Sequence, residues 1–270
     1  FDSLGVVGPM ARDVRDVALF LDALAGLDRR DPRSFPAPPL PYAESVERPP
    51  TLRRVAFSPD LGGIIPVDPE VAAICRSAAE RLASTGVAVE QASPDLSTAL
   101  EVFSVLRAAG FAAGMWELLR DHRELLKPEI VWNIELGLSL AASRIAWAEK
   151  ERGLLIDRFT AFSERYDLLL CPSAIVPPFP VEQRYLEALG DHRFETYVDW
   201  IGITSAVTLT ARPVLALPAG FTASGLPVGL QLIGPARGEG VVLAAGAVLE
   251  GLLDARLATP IDPRTPVSER

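Results

Sequence analysis

Between Arg54 and Val89 the chain sets out a strand, one helix and a second strand, and that order leaves few folds open. Arg54-Val55-Ala56-Phe57 is a short apolar strand. Asp68-Pro69-Glu70 opens a helix running to Ser84, with proline in the first turn, where its missing N–H costs no hydrogen bond. Gly86 ends the helix and Val87-Ala88-Val89 forms the second strand. Two strands joined by a single helix at this spacing pair in parallel through a right-handed crossover.

The rest of the chain supplies material for a larger sheet and its cover. Val14 to Ala25 places apolar residues at helical spacing, with Gly26 as a stop. Residues 31–50 are proline-rich and predict a surface loop. Thr98 to Leu126 and Ile134 to Tyr166 read as two long helical stretches with breaks near Gly110 and Pro128. Glu149-Lys150-Glu151-Arg152 reads as a solvated helical face. Asp167 to Pro172 is too continuously apolar for a strand with one wet face and predicts a strand buried on both sides.

Glu195 to Val207 predicts a helix, and Glu239 to Leu253 a closing, well-buried one. Between them lie two apolar runs, VLALPAGF and LPVGLQLIG, joined by Thr222-Ala223-Ser224-Gly225. Proline and glycine inside such runs mark bends, edges or close backbone approaches. The polar tail, 259–270, is expected to fray. The reading is a single domain over 1–270, of α/β class, with a mixed β-sheet flanked by helices on both faces.

Composition narrows the function classes. The 270 residues carry a net charge of −9, so nucleic acid is not expected as a direct partner. No run of about 18 uninterrupted apolar residues occurs, and no membrane partner is expected. Two cysteines, Cys75 and Cys171, sit in core-like patterns and suit a reduced, cytoplasmic setting. The first residue is Phe1 and no secretory leader is visible, so the chain reads as cut from something longer.

Familiar catalytic devices are missing. His122 lies in a charged helical turn and His192 in a loop, neither with a serine placed for a Ser–His pair. There is no Gly-x-Ser-x-Gly elbow, clustered metal-ligand pattern, Walker loop or dinucleotide fingerprint. Gly234-Pro235-Ala236-Arg237-Gly238 has the composition of a strand-to-helix turn.

Four segments resemble the amidase signature family. They are Phe1-Asp2-Ser3-Leu4 with Gly8 to Val14, Asp16 and Ala18-Leu19; Tyr166 to Ala174; Tyr197-Val198-Asp199-Trp200 through Thr208-Leu209-Thr210; and Gly225 to Gly234, the most specific. They occur in the family's order and span nearly the whole chain. The resemblance implies hydrolysis of a linear amide through a Ser–cis-Ser–Lys triad, with a small-molecule amide as substrate and no cofactor or metal. It leaves open a free-standing amidase, a homo-oligomer, the glutaminase subunit of a tRNA-dependent amidotransferase with its partner subunits, and a non-catalytic scaffold on the same fold.

The departures from the family pattern matter equally. The Gly-Gly-Ser-Ser-Gly stretch, the Gly-Gly-Ser nucleophile loop and the triad lysine are absent, and adjacent serines occur nowhere. The two lysines, Lys127 and Lys150, stand in helical contexts and receive no role. A serine hydroxyl is a poor nucleophile without a base beside it, so no catalytic residue is assigned within the chain. Arg212 stands where the family usually has glycine before Pro213, and is expected to face solvent.

Five residues remain as substrate-binding candidates. Ser173 follows the buried strand and reads as pocket lining or as a loop hydroxyl. Asp199 and Trp200 are adjacent on a predicted helix that the resemblance implies closes the pocket, and Trp200 also suits a core. Thr208 and Thr210 either bond substrate or back-bond to the main chain. A chain cut from something longer is also expected to expose sheet edges or apolar faces that the rest would cover.

Overall fold

The computed structural model describes residues 4–48 and 50–253. Helix α1 (Val14–Leu24) and the short α2 (Tyr42–Val46) precede strand β1 (Arg54–Phe57), helix α3 (Pro69–Glu80) and strand β2 (Ala88–Gln91). Three helices follow, α4 (Ala99–His122), α5 (Pro128–Ser139) and α6 (Ala142–Ser163), and then strand β3 (Leu168–Pro172). A small ribbon of β4 (Ala188–Leu189) and β5 (His192–Arg193) leads to α7 (Gly202–Thr208). The hairpin β6 (Val214–Phe221) and β7 (Pro227–Ile233) and helix α8 (Glu239–Leu252) complete the described chain.

The main sheet has the order β2-β1-β3-β7-β6. Strand β1 runs parallel to both β2 and β3, while β7 is antiparallel to β3 and β6. The sheet is mixed, as expected, and the crossover from β1 through α3 to β2 is parallel. Asp68 opens α3 by accepting from the N–H groups of Glu70 (2.8 Å) and Val71 (3.2 Å). A 3₁₀ turn, Arg81–Thr85, extends the helix to Gly86, whose φ of 88° lets the chain reverse.

Alternation along the strands divides the core into two layers. Val55 and Phe57 of β1, Leu168 and Leu170 of β3 and Leu230 and Leu232 of β7 pack with α1, α3 and α8. Ala56, Leu169, Cys171 and Ile233 face the other way, against α4, α6 and α7. Strand β3 lies at the centre and is buried throughout, so its continuous apolar run serves both layers.

Several local expectations are corrected. The loop over 31–50 contains α2, whose first N–H groups, Tyr42 and Ala43, donate to the Asp22 carboxylate at 2.7 and 2.9 Å. Gly110 does not break α4; the helix runs through it because the surrounding apolar residues pack on both sides of that point. The two predicted stretches are three helices, because Pro128 begins α5 and the chain turns again at Leu140-Ala141. Arg152 is buried, not solvated, and its Nε–H donates to the Leu209 carbonyl at 3.2 Å. Helix is confined to 199–208 within the stretch from Glu195. The expected frayed tail lies outside the described residues.

Apolar surface is open at a sheet edge and on the N-terminal segment. Strand β6 is an edge, with Val214 and Phe221 exposed, and it carries a bulge between Pro218 and Gly220. Val6, Val7 and Met10 are almost fully exposed, and Leu19, Phe20 and Leu24 line the outer side of α1. One described helix, Ala99–Leu125, is long and apolar enough to cross a membrane by length and composition. Its first half carries Val102, Phe103, Val105 and Leu106 into the core beneath the sheet.

Candidate functional site

The polypeptide leaves the sheet centre at Pro172, and two bonds fix its direction. The Ser173 N–H donates to the Gly229 carbonyl at 2.9 Å, extending the pairing of β3 with β7 by one rung. The buried Gln231 amide donates to the Pro172 carbonyl at 3.0 Å and reaches the Ile203 carbonyl of α7 at 3.5 Å. One side chain thus joins the exit of the central strand to the helix beside it. An amide buried this deeply stays only because its hydrogen bonds are made.

Beyond this exit lies a cleft of about 460 Å³, walled by Ser173, Val176, Phe179, Trp200, Leu217 and Val228 among others. Phe179 and Trp200 meet edge to face with ring centroids 5.5 Å apart. Gly229 makes room for the serine: a Cβ there would stand 2.2 Å from the Ser173 Oγ.

The five sequence candidates divide between the cleft and its frame. Ser173 and Trp200 both line the cleft. The Asp199 carboxylate accepts from the Thr196 N–H (2.7 Å) and hydroxyl (2.8 Å), pinning the turn that presents Trp200. The Thr208 hydroxyl donates to the Leu4 carbonyl at 2.9 Å, tying α7 to the N-terminal segment. Thr210, fully buried, back-bonds to the Val207 carbonyl at 2.7 Å. Sequence reasoning missed Phe179, Gly229 and Gln231 as shapers of the cleft. Gln231 carried a signal, a polar side chain inside an apolar strand run, and so did Gly229, a glycine inside the same run; Phe179 carried none.

The chemistry available is limited. Among the described residues no charged side chain lines the cleft, and Ser173 is the one side-chain hydroxyl there. His122 and His192 are exposed, as are Lys127 and Lys150, and none of the four lines the cleft. Burial pushes the Cys75 thiol up to about 12 and the Cys171 thiol higher still, so both stay protonated and inert. Among the described residues no three His, Cys, Asp or Glu side chains converge to hold a metal. Arg212 lies neither in the cleft nor in open solvent: it bonds the Thr160 hydroxyl and stacks over Phe159. Among its described lining residues the cleft offers apolar surface and one hydroxyl.

A family model described as Amidase matches residues 1–243 of this chain. An acylamidase of Rhodococcus erythropolis is 34% identical over 253 residues, which is 91% of this chain and 52% of the relative. The A-type subunit of the glutamyl-tRNA(Gln) amidotransferase of Thermus thermophilus is 31% identical over 284 residues, 96% of this chain and 58% of the relative. The crystal structure of a bacterial aryl acylamidase of the amidase signature family shares the fold, with a TM-score of 0.81 at 22% identity, over 94% of this chain and 55% of that one. The chain spans about half the length of the curated relatives it matches.

Proposed function

From the premise that this chain belongs to the amidase family, we propose that it is the C-terminal part of an amidase that hydrolyses the C–N bond of a linear carboxylic amide through an acyl-enzyme. The 270 residues supply the rear wall of the substrate pocket, and the serine–serine–lysine machinery is carried by residues outside them. Ser173 and Trp200 contact the amide substrate; Asp199, Thr208 and Thr210 hold the frame around it. The chain by itself does not turn over amides, because its cleft has a hydroxyl and no base to activate it. The reaction belongs to the cytoplasm of a bacterium, in keeping with the unpaired cysteines and the bacterial relatives.

The observation that carries this reading is the cleft itself, in which Ser173, Trp200 and Val228, from segments that resemble the family, meet Phe179. Its uncharged lining favours an amide with an aryl or alkyl group over glutamine, whose ammonium and carboxylate need charged partners when desolvated. A free-standing amidase is therefore preferred to the glutaminase component of an amidotransferase, and both to a scaffold without catalysis.

The test is to assay the purified chain with acetanilide, benzamide and L-glutamine, and to follow tryptophan fluorescence as each is added. Expected are quenching by the two aromatic amides, loss of most of that quenching in Trp200→Phe, no response to glutamine, and no hydrolysis. Serine-dependent turnover by the chain alone refutes the placement of the triad elsewhere. Saturable binding of glutamine in preference to acetanilide refutes the substrate class.

A further inference from the structure

A second cavity, of about 390 Å³, lies where the ribbon β4–β5 folds back over the start of α5. Four aromatic residues, Trp132, Tyr185, Phe194 and Tyr197, stand in its wall. Trp132 meets Tyr197 at 77° with centroids 5.9 Å apart, and Tyr185 is tilted by 59° against Tyr197 at 6.2 Å. Rings set at such angles form a corner, not a stack. Tyr197 is held in place from behind, its hydroxyl accepting from Arg107 at 3.1 Å and from the buried Asn133 amide.

Charge completes the picture. Glu187 and Glu195 belong to the same wall, and among the described residues neither carboxylate is engaged in an ion pair or side-chain hydrogen bond. A third carboxylate, Glu129, is held by Arg184. Among the described lining residues Arg193 is the one cation, so the two remaining glutamates leave the balance acidic. Electron-rich ring faces and free carboxylates attract the same class of ligand, a cation whose alkyl groups shed water against the rings. A hard metal ion needs several converging oxygens instead, and an anion is repelled.

We propose that this cavity is a binding site for a small organic ammonium ion, separate from the cleft at the end of β3. The proposal does not depend on the chain's amidase reading. The two cavities are joined through one turn, since Tyr197 lines the second and Trp200 the first.

Calorimetry and saturation-transfer NMR with choline chloride, and with its uncharged carbon isostere dimethylbutanol, test it on the full chain. Choline is expected to bind saturably and at least about tenfold more tightly than the alcohol. Tyr185→Ala, and separately the double variant Glu187→Gln/Glu195→Gln, should each weaken choline roughly three- to tenfold and leave the alcohol nearly unchanged. The two glutamates are exposed, so the double variant keeps the test decisive even where Tyr185→Ala does not fold. Equal affinity for the two probes, no saturable choline binding in the millimolar range, or choline binding indifferent to the double variant each overturns the proposal.

Discussion

Replacing Gly137 by alanine should destabilise the protein, against the usual rule for a helical glycine. Gly137 is buried on α5 where that helix crosses α4. A Cβ placed there stands 2.0 Å from the Ala108 carbonyl oxygen, 2.6 Å from its carbon and 2.7 Å from the Ala112 Cβ. A comfortable contact is about 3.5 Å, so the helices must part by roughly 1.5 Å at the crossing. The obstacle is main chain, which cannot rotate aside, so the overpacking cost falls near the upper end of its range, about 3 kcal/mol. The intrinsic gain of Gly→Ala in a helix recovers about 1 kcal/mol, and the net loss is about 2 kcal/mol. Gly153 on α6 is the control, because nothing lies within 4 Å of the position its added methyl would take. There the same substitution should stabilise by about 0.5–1 kcal/mol. Urea unfolding followed by far-ultraviolet circular dichroism should show the midpoint falling for Gly137→Ala and rising for Gly153→Ala, with the slope unchanged. A Gly137→Ala protein as stable as the parent would refute the close crossing of α4 and α5.

Three further outcomes are expected. Gln231→Met keeps the volume but leaves the Pro172 carbonyl without its donor, and should cost about 1–3 kcal/mol in the same unfolding assay; a change below a few tenths would mean that the bond is not structural. Ala211 adopts a left-handed conformation with φ of 53°, so Ala211→Gly should gain up to about 1 kcal/mol, and a measured loss would contradict the strain. The buried thiols make stability depend on alkaline pH. Burial raises the Cys75 pKa to about 12 in the folded state, so the folded chain retains a proton that the unfolded chain releases. This contribution is complete below about pH 8.5 and is lost as pH rises toward 12, at about 1.4 kcal/mol per unit for each thiol. Native protein should accordingly react slowly with iodoacetamide at pH 8 and rapidly once unfolded; rapid alkylation of the folded chain would show that Cys75 or Cys171 is not sealed.

What the sequence discloses is what local chemistry dictates. Asp68-Pro69 and Gly86 bracket a helix by capping alone, and the apolar run at 168–172 needs two covered faces wherever it lies. The hairpin of β6 and β7 was visible for the same reason, with Pro218 at an edge bulge and Gly229 at a close approach. The failures involve partners distant in the chain. Arg152 looks like one more surface charge until the Leu209 carbonyl, 57 positions away, accepts its N–H. Gly110 passes unbroken through α4 because tertiary packing outweighs a modest propensity cost. Ser173 and Trp200 stay open in the sequence between cleft and a structural role, because a strand end or a turn does not show from sequence which way its side chain faces; both line the cleft. Phe179 was not legible, because a loop aromatic shows its direction only once its neighbour is placed.

The clamp that Asp199 puts on Thr196 has a further consequence. The short run 196–200 serves two chambers back to back, so neither can be remodelled in isolation. Loosening that carboxylate by a single exchange to alanine would transmit slack to both, and selection acting on one chamber would be felt as drift in the other.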